Sequence, residues 1–390
     1  MAQLELAAGS KTFRPEGSKL SQQNEQEFIK VRVEKTASLR QKGIDPYPTN
    51  YKRTHTSKQA EEAFEAAEKV NDEFNEKIKV AGRIMGRRGM GKASFIDLSD
   101  TDGRIQVMMR RNVLNEDYEI LDDLDIGDWI GAEGTLFRTR TGQITLQVTT
   151  FSILCKSLRP LPEKWHGLTD VETRFRQRYL DLISNEDAIK TAKTRSLLVS
   201  TIRQFMNERG FIEVETPILV PIAAGGMAHP FTTHHNALNR NLFLRIATEL
   251  HLKRLVVGGI EKVFEIGRVF RNEGVDLQHN PEFTTMESYE AFSDYNDVMD
   301  MVEQLVSTAA TALNGSETVK YGEEELKFSP PWPRIDLREK IIEVSGIDFF
   351  EHPGLDSLKK AMSEAGIDVS QQVSWSGLLD KLISDKVEPT

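Results

Sequence analysis

Hydrophobic and polar positions change their rhythm along the chain. Asn24 to Lys42 carries Phe28, Val31, Val33 and Leu39 as an incomplete apolar stripe at helical spacing, with Gly43 placed to end a helix. Asp45-Pro46-Tyr47-Pro48 breaks the chain, and a second, charged helix is expected over Ser57–Val70. From Ile78 to Cys155 the pattern is that of short strands: Ile78–Ile84, Ala93–Leu98, Arg104–Met109, Trp129–Leu136 and Ile144–Val148, with a helix-like Val113–Leu124 after the third. Beyond Pro160 and Pro162 long helices and strands mix. Glu186–Arg209 predicts a helix with Leu197, Leu198, Ile202, Phe205 and Met206 on one side. Phe211–Pro217 predicts a strand. Lys262–Arg271 and Phe283–Phe292 predict two strands joined by a polar loop. A helix follows, with Ser293 or Asp294 as N-cap, Val298, Met301, Val302, Leu305, Val306, Ala309 and Leu313 as its apolar face, and Gly315 at its end. Pro330–Thr390 holds a Pro-rich turn and two or three short helices.

The five short strands suit a small OB-type barrel, a fold whose sheet face commonly binds single-stranded nucleic acid. The rest is α+β. At 390 residues the chain fits two or three domains. We expect a flexible tail at 1–23, N-terminal helices at 24–75, the barrel at 76–156, a linker at 157–172 and a second domain at 173–390. No run of about 20 apolar residues is present, so no membrane span is expected. The first residues lack the apolar core of a signal peptide.

The net charge of −10 argues against indiscriminate binding to a polyanion. Arg83, Arg87, Arg88 and Lys92 nonetheless segregate from the later acidic residues Glu116, Asp117, Glu119, Asp122, Asp123, Asp125 and Asp128. That is what a one-sided RNA contact would need, but on charge alone two solvated surfaces are the preferred account. The single cysteine, Cys155, is expected as a buried core thiol in a reduced, cytoplasmic compartment. His234-His235 are adjacent, point opposite ways on a strand and have no third ligand at suitable spacing, so they are not expected to bind metal. Neither phosphate-binding glycine motif, G-x-x-x-x-G-K-[ST] or G-x-G-x-x-G, occurs.

Side chains on a strand alternate faces, so Phe283, Thr285, Glu287 and Tyr289 share one face, and Arg271 shares a face with Val269, Gly267 and Glu265. Arg271 can fork onto a phosphate or carboxylate. Phe283 can stack on a purine. Glu287 with Tyr289, and separately Glu249, can each hold an ammonium. Gly267 would clear space beside them. A plain salt bridge between Glu287 and Arg271 on an ordinary sheet accounts for the same pattern. The pair Gly225-Gly226 can admit a ligand to the backbone or simply form a loop, and His279 is either surface or a phosphate donor.

Phe270-Arg-Asn-Glu-Gly-Val-Asp-Leu-Gln-His-Asn-Pro-Glu-Phe-Thr-Thr-Met-Glu-Ser-Tyr289 resembles motif 2 of the class II lysyl-tRNA synthetases. Arg209-Gly-Phe-Ile-Glu-Val-Glu-Thr-Pro217 resembles motif 1, the dimer-forming helix and strand. Leu244–Leu250, Leu252–Gly259 and Leu158–Leu168 are also similar to that family, and the likeness runs from about residue 24 onward. It implies an OB-fold anticodon-binding domain followed by an antiparallel-sheet catalytic domain that activates lysine with ATP and transfers it to tRNA(Lys), as a cytoplasmic homodimer formed through motif 1. Arg271 would hold the α-phosphate and the lysine carboxylate. Glu273 would read the adenine amino group, and Phe283 would stack on the ring. His279 and Asn280 would lie along the phosphates and base. Glu249 and the backbone of Gly225 would take the α-amino group, and Glu287 and Tyr289 the ε-ammonium. Phe95, Gln106 and one of Arg87 or Arg88 would contact the anticodon, while Gln143 departs from the glutamate the family places there. Two acidic contacts favour lysine over aspartate or asparagine. The family's third motif, a Gly-rich strand and helix with an arginine for the γ-phosphate, has no counterpart. Magnesium is expected, but with its ligands in that missing stretch, so no metal site is expected in this chain. The catalytic domain is thus expected to be incomplete and the chain alone inactive, an expectation that lysine-dependent ATP–pyrophosphate exchange by it would refute. The alternative is a non-catalytic, dimerising tRNA- or RNA-binding fragment.

Overall fold

The computed structural model describes residues 19–70, 74–162, 168–276 and 279–389. The tail expected over 1–23 therefore falls outside the described residues as far as residue 18. Part of the Leu158–Leu168 run falls outside them as well. The chain divides into two compact units, Met1–Ala192 and Lys193–Thr390. No helix among the described residues is long and apolar enough to cross a membrane.

The first unit opens with α1 (Lys19–Gln41) and α2 (Ser57–Lys69). Phe28, Val31 and Val33 of α1 are exposed, and of the expected stripe only Leu39 is buried. The helix docks through charge instead. The Arg32 guanidinium donates to the carbonyls of Ser157, Arg159 and Ile126, and Lys35 pairs with Asp125 at 2.7 Å. Polar groups satisfied in this way can be buried at little cost, so an apolar stripe is not the only route to docking.

Strands β1 (Ile78–Met90), β2 (Ala93–Ser99), β3 (Arg104–Arg110), β4 (Trp129–Arg138) and β5 (Ile144–Cys155) close a barrel in the order β1-β2-β3-β5-β4. Alternation drives it: Ile78, Val80, Ile84, Ile96, Leu98, Val107, Ile130, Leu146 and Val148 point inward and are almost wholly buried. The parallel pairing of β3 with β5 completes the ring. The expected helix over Val113–Leu124 is instead one turn, α3 (Arg111–Leu114), followed by a 3-10 segment over Asn115–Asp123. Asn115 at the junction has φ of 51°, which ends the α-helix there.

Several acidic residues that read as surface in the sequence are structural. The ammonium of Lys156, fully buried, meets Asp128 at 2.6 Å and Asp125 at 2.8 Å and donates to the carbonyl of Asp123. Asp128 also accepts from the main-chain amides of Asp125 and Ser157. Burial pushes the Asp125 carboxyl up, but the hydrogen bonds from Lys156 and Lys35 outweigh it and hold the group below the usual carboxylate range. Cys155, expected in the core, is exposed. A register shift between Trp129 and Ile130 at the end of the β4–β5 ladder turns this last strand residue outward. Helices α4 (Val171–Arg176) and α5 (Arg178–Ser184) follow, held by Arg174 and Arg178 on the buried carboxylate of Asp181.

The second unit takes its first core residues from α6 (Glu186–Glu208), whose Phe205 and Met206 are buried while Leu197 stays exposed. The expected strand over Phe211–Pro217 is only two residues long, β6 (Ile212–Glu213). A small sheet that the pattern did not announce joins β7 (Leu219–Val220), β8 (Thr232–His235) and β9 (Arg240–Leu244) in the order β7-β9-β8. Helix α7 (Glu249–Val257) leads to the hairpin β10 (Lys262–Phe270) and β11 (Glu282–Glu290), with β6 parallel to β10. Helix α8 (Tyr295–Asn314) starts at Asp294, which caps it with a reciprocal bond to Asp297. Its buried stripe is Met301, Leu305 and Ala309, whereas Val298 and Val302 are exposed. A second unannounced hairpin, β12 (Thr318–Tyr321) and β13 (Glu324–Lys327), precedes α9 (Leu337–Ser345), α10 (Leu355–Glu364) and α11 (Trp375–Lys386). Those three helices share a core of their own around Ile341, Leu358, Met362, Leu378 and Leu382.

Removing one partner of a buried ion pair leaves the other charge uncompensated. Lys156→Met is therefore expected to destabilise the barrel by about 3–5 kcal/mol. Hydrogen exchange of the β4 and β5 amides should accelerate accordingly, and unchanged protection would show that the pair is dispensable.

Candidate active site on the hairpin sheet

The β10–β11 hairpin is in continuous antiparallel register from Lys262↔Glu290 to Phe270↔Glu282. Residues directly opposite each other share a face. One face carries Phe264, Ile266 and Met286, which pack on Phe205, Met206, Met301 and Leu305. The other face carries the pairs Val263–Tyr289, Glu265–Glu287, Gly267–Thr285 and Val269–Phe283. Alternation in the sequence thus places Phe283, Glu287 and Tyr289 together, and the helical core behind the sheet holds them there.

Arg271 stands just past the end of β10. Its amide donates to the carbonyl of Pro281 at 2.9 Å, which extends the hairpin by one step. Its guanidinium carbon lies 5.2 Å from the centroid of the Phe283 ring, a cation–π contact. Among the described residues it forms no ion pair with Glu287, so the simple salt-bridge account of that pattern does not hold. In the loop beyond, Glu273 and Asn280 are exposed. His279 turns back on Asp276, whose carboxylate lies 2.8 Å from Nδ1. The amide of Asn272 donates to the carbonyl of His229.

At the other end of the face, Glu287 accepts at Oε1 from the amide of Thr248 at 3.1 Å. Thr248 immediately precedes α7, and Glu249 is the helix's first residue, where the macrodipole favours a carboxylate. Glu249 Oε1 meets the Lys253 ammonium at 2.6 Å. Gly225 comes against the same carboxylate. A Cβ there would lie 2.9 Å from the Ala247 Cβ and 3.3 Å from the Glu249 Cβ, and its φ of +91° suits only glycine. Tyr289 closes the group. Burial pushes its phenol above the usual range, and the nearby carboxylates of Glu249 and Glu287 push in the same direction. The Lys253 ammonium lies 5.6 Å from its ring centroid. Gly225, Glu249, Glu287 and Tyr289 are therefore neighbours.

Three side-chain polar atoms among the described residues are buried without a hydrogen-bond partner: Thr248 Oγ1, Arg271 Nε and Thr285 Oγ1. Each such group costs about 1–3 kcal/mol. All three belong to this sheet face and its α7 neighbour. Alternation placed Thr285 on this face without giving it a role, and Thr248, next to Glu249, and Lys253 were given none either. Arg245 was missed too. It is 3 % exposed, pairs with Glu265 at 2.6 Å and donates to the Thr216 hydroxyl and carbonyl and to the carbonyl of Arg268. It also corrects the expectation for Gly267. The space beside that glycine is not open, because a Cβ there would sit 2.3 Å from Arg245 Nη2. His234 Nδ1 is paired with the Asn241 side chain, and His235 Nδ1 accepts from the amide of Leu238.

On the barrel, Arg88 pairs opposite Phe95 and Phe95 opposite Met108, so the three share the outer face. Gln106 is 6 % exposed and accepts from the Thr145 hydroxyl. Arg87 lies opposite the buried Ile96 and donates to the carbonyl of Leu121, away from Phe95.

Residues 170–370 match the family described as tRNA synthetases class II (D, K and N), and residues 78–154 match the OB-fold nucleic acid binding domain. The lysine–tRNA ligase of Dehalococcoides mccartyi strain CBDB1 is 51% identical over 359 residues, covering 92% of this chain and 72% of that protein. The lysine–tRNA ligase of Carboxydothermus hydrogenoformans is 47% identical, over 93% of this chain and 74% of its own length. That of Bacillus subtilis strain 168 is 44% identical, over 93% and 73%. A barrel of nucleic-acid-binding type, a site with two carboxylates facing one phenol, and relatives of this closeness place the chain in the class II lysine–tRNA ligase family, enzymes that join lysine to tRNA(Lys).

Proposed function

We propose that the hairpin face binds lysine and ATP end to end, with the acidic end at Glu249, Glu287 and Tyr289 and the nucleotide end at Arg271 and Phe283. The observation that carries this reading is that Lys253 touches both Glu249 and the Tyr289 ring, beside Glu287 on the same sheet face as a guanidinium resting on an aromatic ring. Lysine offers two ammonium groups and one carboxylate, and the face offers two carboxylates and one guanidinium. Glu249, with the backbone of Gly225, takes the α-ammonium. Glu287 spends Oε1 on Thr248, which leaves Oε2, with the Tyr289 hydroxyl, for the ε-ammonium. Arg271 spans the lysine carboxylate and the α-phosphate, and Phe283 stacks on the adenine. Glu273 reads the adenine amino group, and His279 and Asn280 lie along the phosphates and base.

The chemistry follows from positioning. The lysine carboxylate is already ionised, so no general base is required for its attack on the α-phosphorus. The P–O bond to pyrophosphate breaks, and pyrophosphate leaves with that electron pair. The lysyl group then passes to the 3′-hydroxyl of tRNA, releasing AMP. Arg271 stabilises charge on the α-phosphate as it develops. Magnesium accompanies ATP in such reactions. Among the described residues no group of three or more His, Cys, Asp or Glu is arranged to hold a metal ion, so no step is assigned to one.

The barrel's outer face, with Phe95 and Arg88, receives the anticodon. Arg88, not Arg87, faces the same side as Phe95. Leu197, Ile212, Ile218 and Leu219 leave apolar surface exposed around α6 and β6, which supports a homodimer formed through that segment. The single cysteine and soluble substrates suit the cytoplasm.

Glu287→Gln is expected to weaken lysine binding about 100-fold while ATP binding changes by less than about threefold, as measured by equilibrium dialysis. Equal loss for both ligands would overturn the division of the site. Phe95→Ala should weaken binding of an anticodon stem-loop about tenfold at unchanged melting temperature, Arg88→Ala should weaken it too, and Arg87→Ala should have the least effect. A larger loss for Arg87→Ala would move the contact to the opposite face.

A further inference from the structure

We propose that Lys253 is a positioning residue for lysine selection: its ammonium fixes one oxygen of Glu249 and thereby presents the other to the substrate's α-ammonium. The inference rests on the reading that Glu249 takes that group. Glu249 and Lys253 lie one turn apart on α7, so their side chains meet on one face of the helix. Lys253 Nζ holds Oε1 at 2.6 Å. Oε2 is the oxygen that lies on the Gly225 side, 3.6 Å from the place a Cβ on that glycine would occupy. The two oxygens are thus divided between Lys253 and the glycine loop.

A glutamate's terminal torsion is broad, and without a partner the carboxylate plane turns freely. Lys253 removes that freedom. Its ammonium also differs from an ordinary surface partner in its second contact, the face of the Tyr289 ring at 5.6 Å. The cation therefore bridges Glu249 and Tyr289, residues assigned to opposite ends of the lysine molecule. It also moderates the charge of the pocket: two carboxylates and one ammonium leave a single excess negative charge for the substrate's two cationic groups.

The test compares L-lysine with 6-aminohexanoate, which keeps the ε-ammonium and carboxylate but lacks the α-amino group. Binding of each to the purified chain is measured by calorimetry for the unsubstituted protein, Lys253→Met, Lys253→Arg and Glu249→Gln. Lys253→Met is expected to weaken lysine about fivefold and to leave 6-aminohexanoate within about twofold, and Lys253→Arg should restore lysine to within about twofold. Glu249→Gln should abolish most of the preference for lysine over 6-aminohexanoate. If Glu249→Gln leaves that preference intact, the reading beneath the inference fails. If Glu249→Gln removes the preference while Lys253→Met does not change it, Lys253 is only a surface partner and the inference is overturned. Tighter lysine binding by Lys253→Met also overturns it, because the ammonium would then be a competitor.

Discussion

The two sheets around the candidate site in the second unit are tied together by one buried ion pair, Arg245 with Glu265. Both side chains are nearly inaccessible, and their contact is 2.6 Å. Taking two charges out of water costs several kcal/mol per ion unless every remaining donor and acceptor is used. Here they are used widely. Arg245 reaches Thr216 and the carbonyl of Arg268, the second oxygen of Glu265 accepts from the Thr216 hydroxyl, and the main chain of Arg245 bonds to Ile218 and Phe270. The pair so ties the segment after β6, the end of β9 and the centre of β10. It also settles an electrostatic problem, since Glu265 and Glu287 stand directly opposite each other and like charges in that position repel. Arg245 offsets the charge of Glu265 and so relieves its repulsion with Glu287.

Much of this was legible in the sequence, because it rests on local rules. The period-2 alternation over Phe283–Tyr289 named the face, and the observed register pairs it with Val263–Val269 as alternation requires. The cap at Asp294 and the strands of the barrel were equally readable. The illegible features depend on distant partners or on one-residue shifts. Nothing near Arg245 in the chain announces Glu265, twenty residues on. The apolar residues of α1 signalled burial, yet Arg32 and Lys35 find their partners more than ninety residues away or close to it.

The choice between Arg87 and Arg88 shows the second kind of difficulty. Strict alternation from Ile78, Val80 and Ile84 would turn Arg88 inward. A register shift between Ile84 and Gly86 inserts one residue and reverses the faces beyond it. Arg88 then lies opposite Phe95, and Arg87 turns to the 3-10 segment at Leu121. A single bulge thus decides which basic residue lies beside an aromatic platform, and sequence spacing holds no trace of it.

The closed barrel and the hairpin site differ in what substitution can reach. A ring of strands has no free edge, so its backbone amides and carbonyls are spent on one another. Whatever rests on its outer wall meets side chains, and each contact is open to change one residue at a time. The hairpin site also uses main chain: the amide of Thr248 grips Glu287, and the loop at Gly225 lies directly against Glu249. Of the standard residues only proline lacks a backbone N–H, so nearly every replacement at Thr248 keeps that donor. The outer wall of the barrel is therefore open to drift, while the arrangement of Glu249 and Glu287 is anchored largely in the path of the backbone.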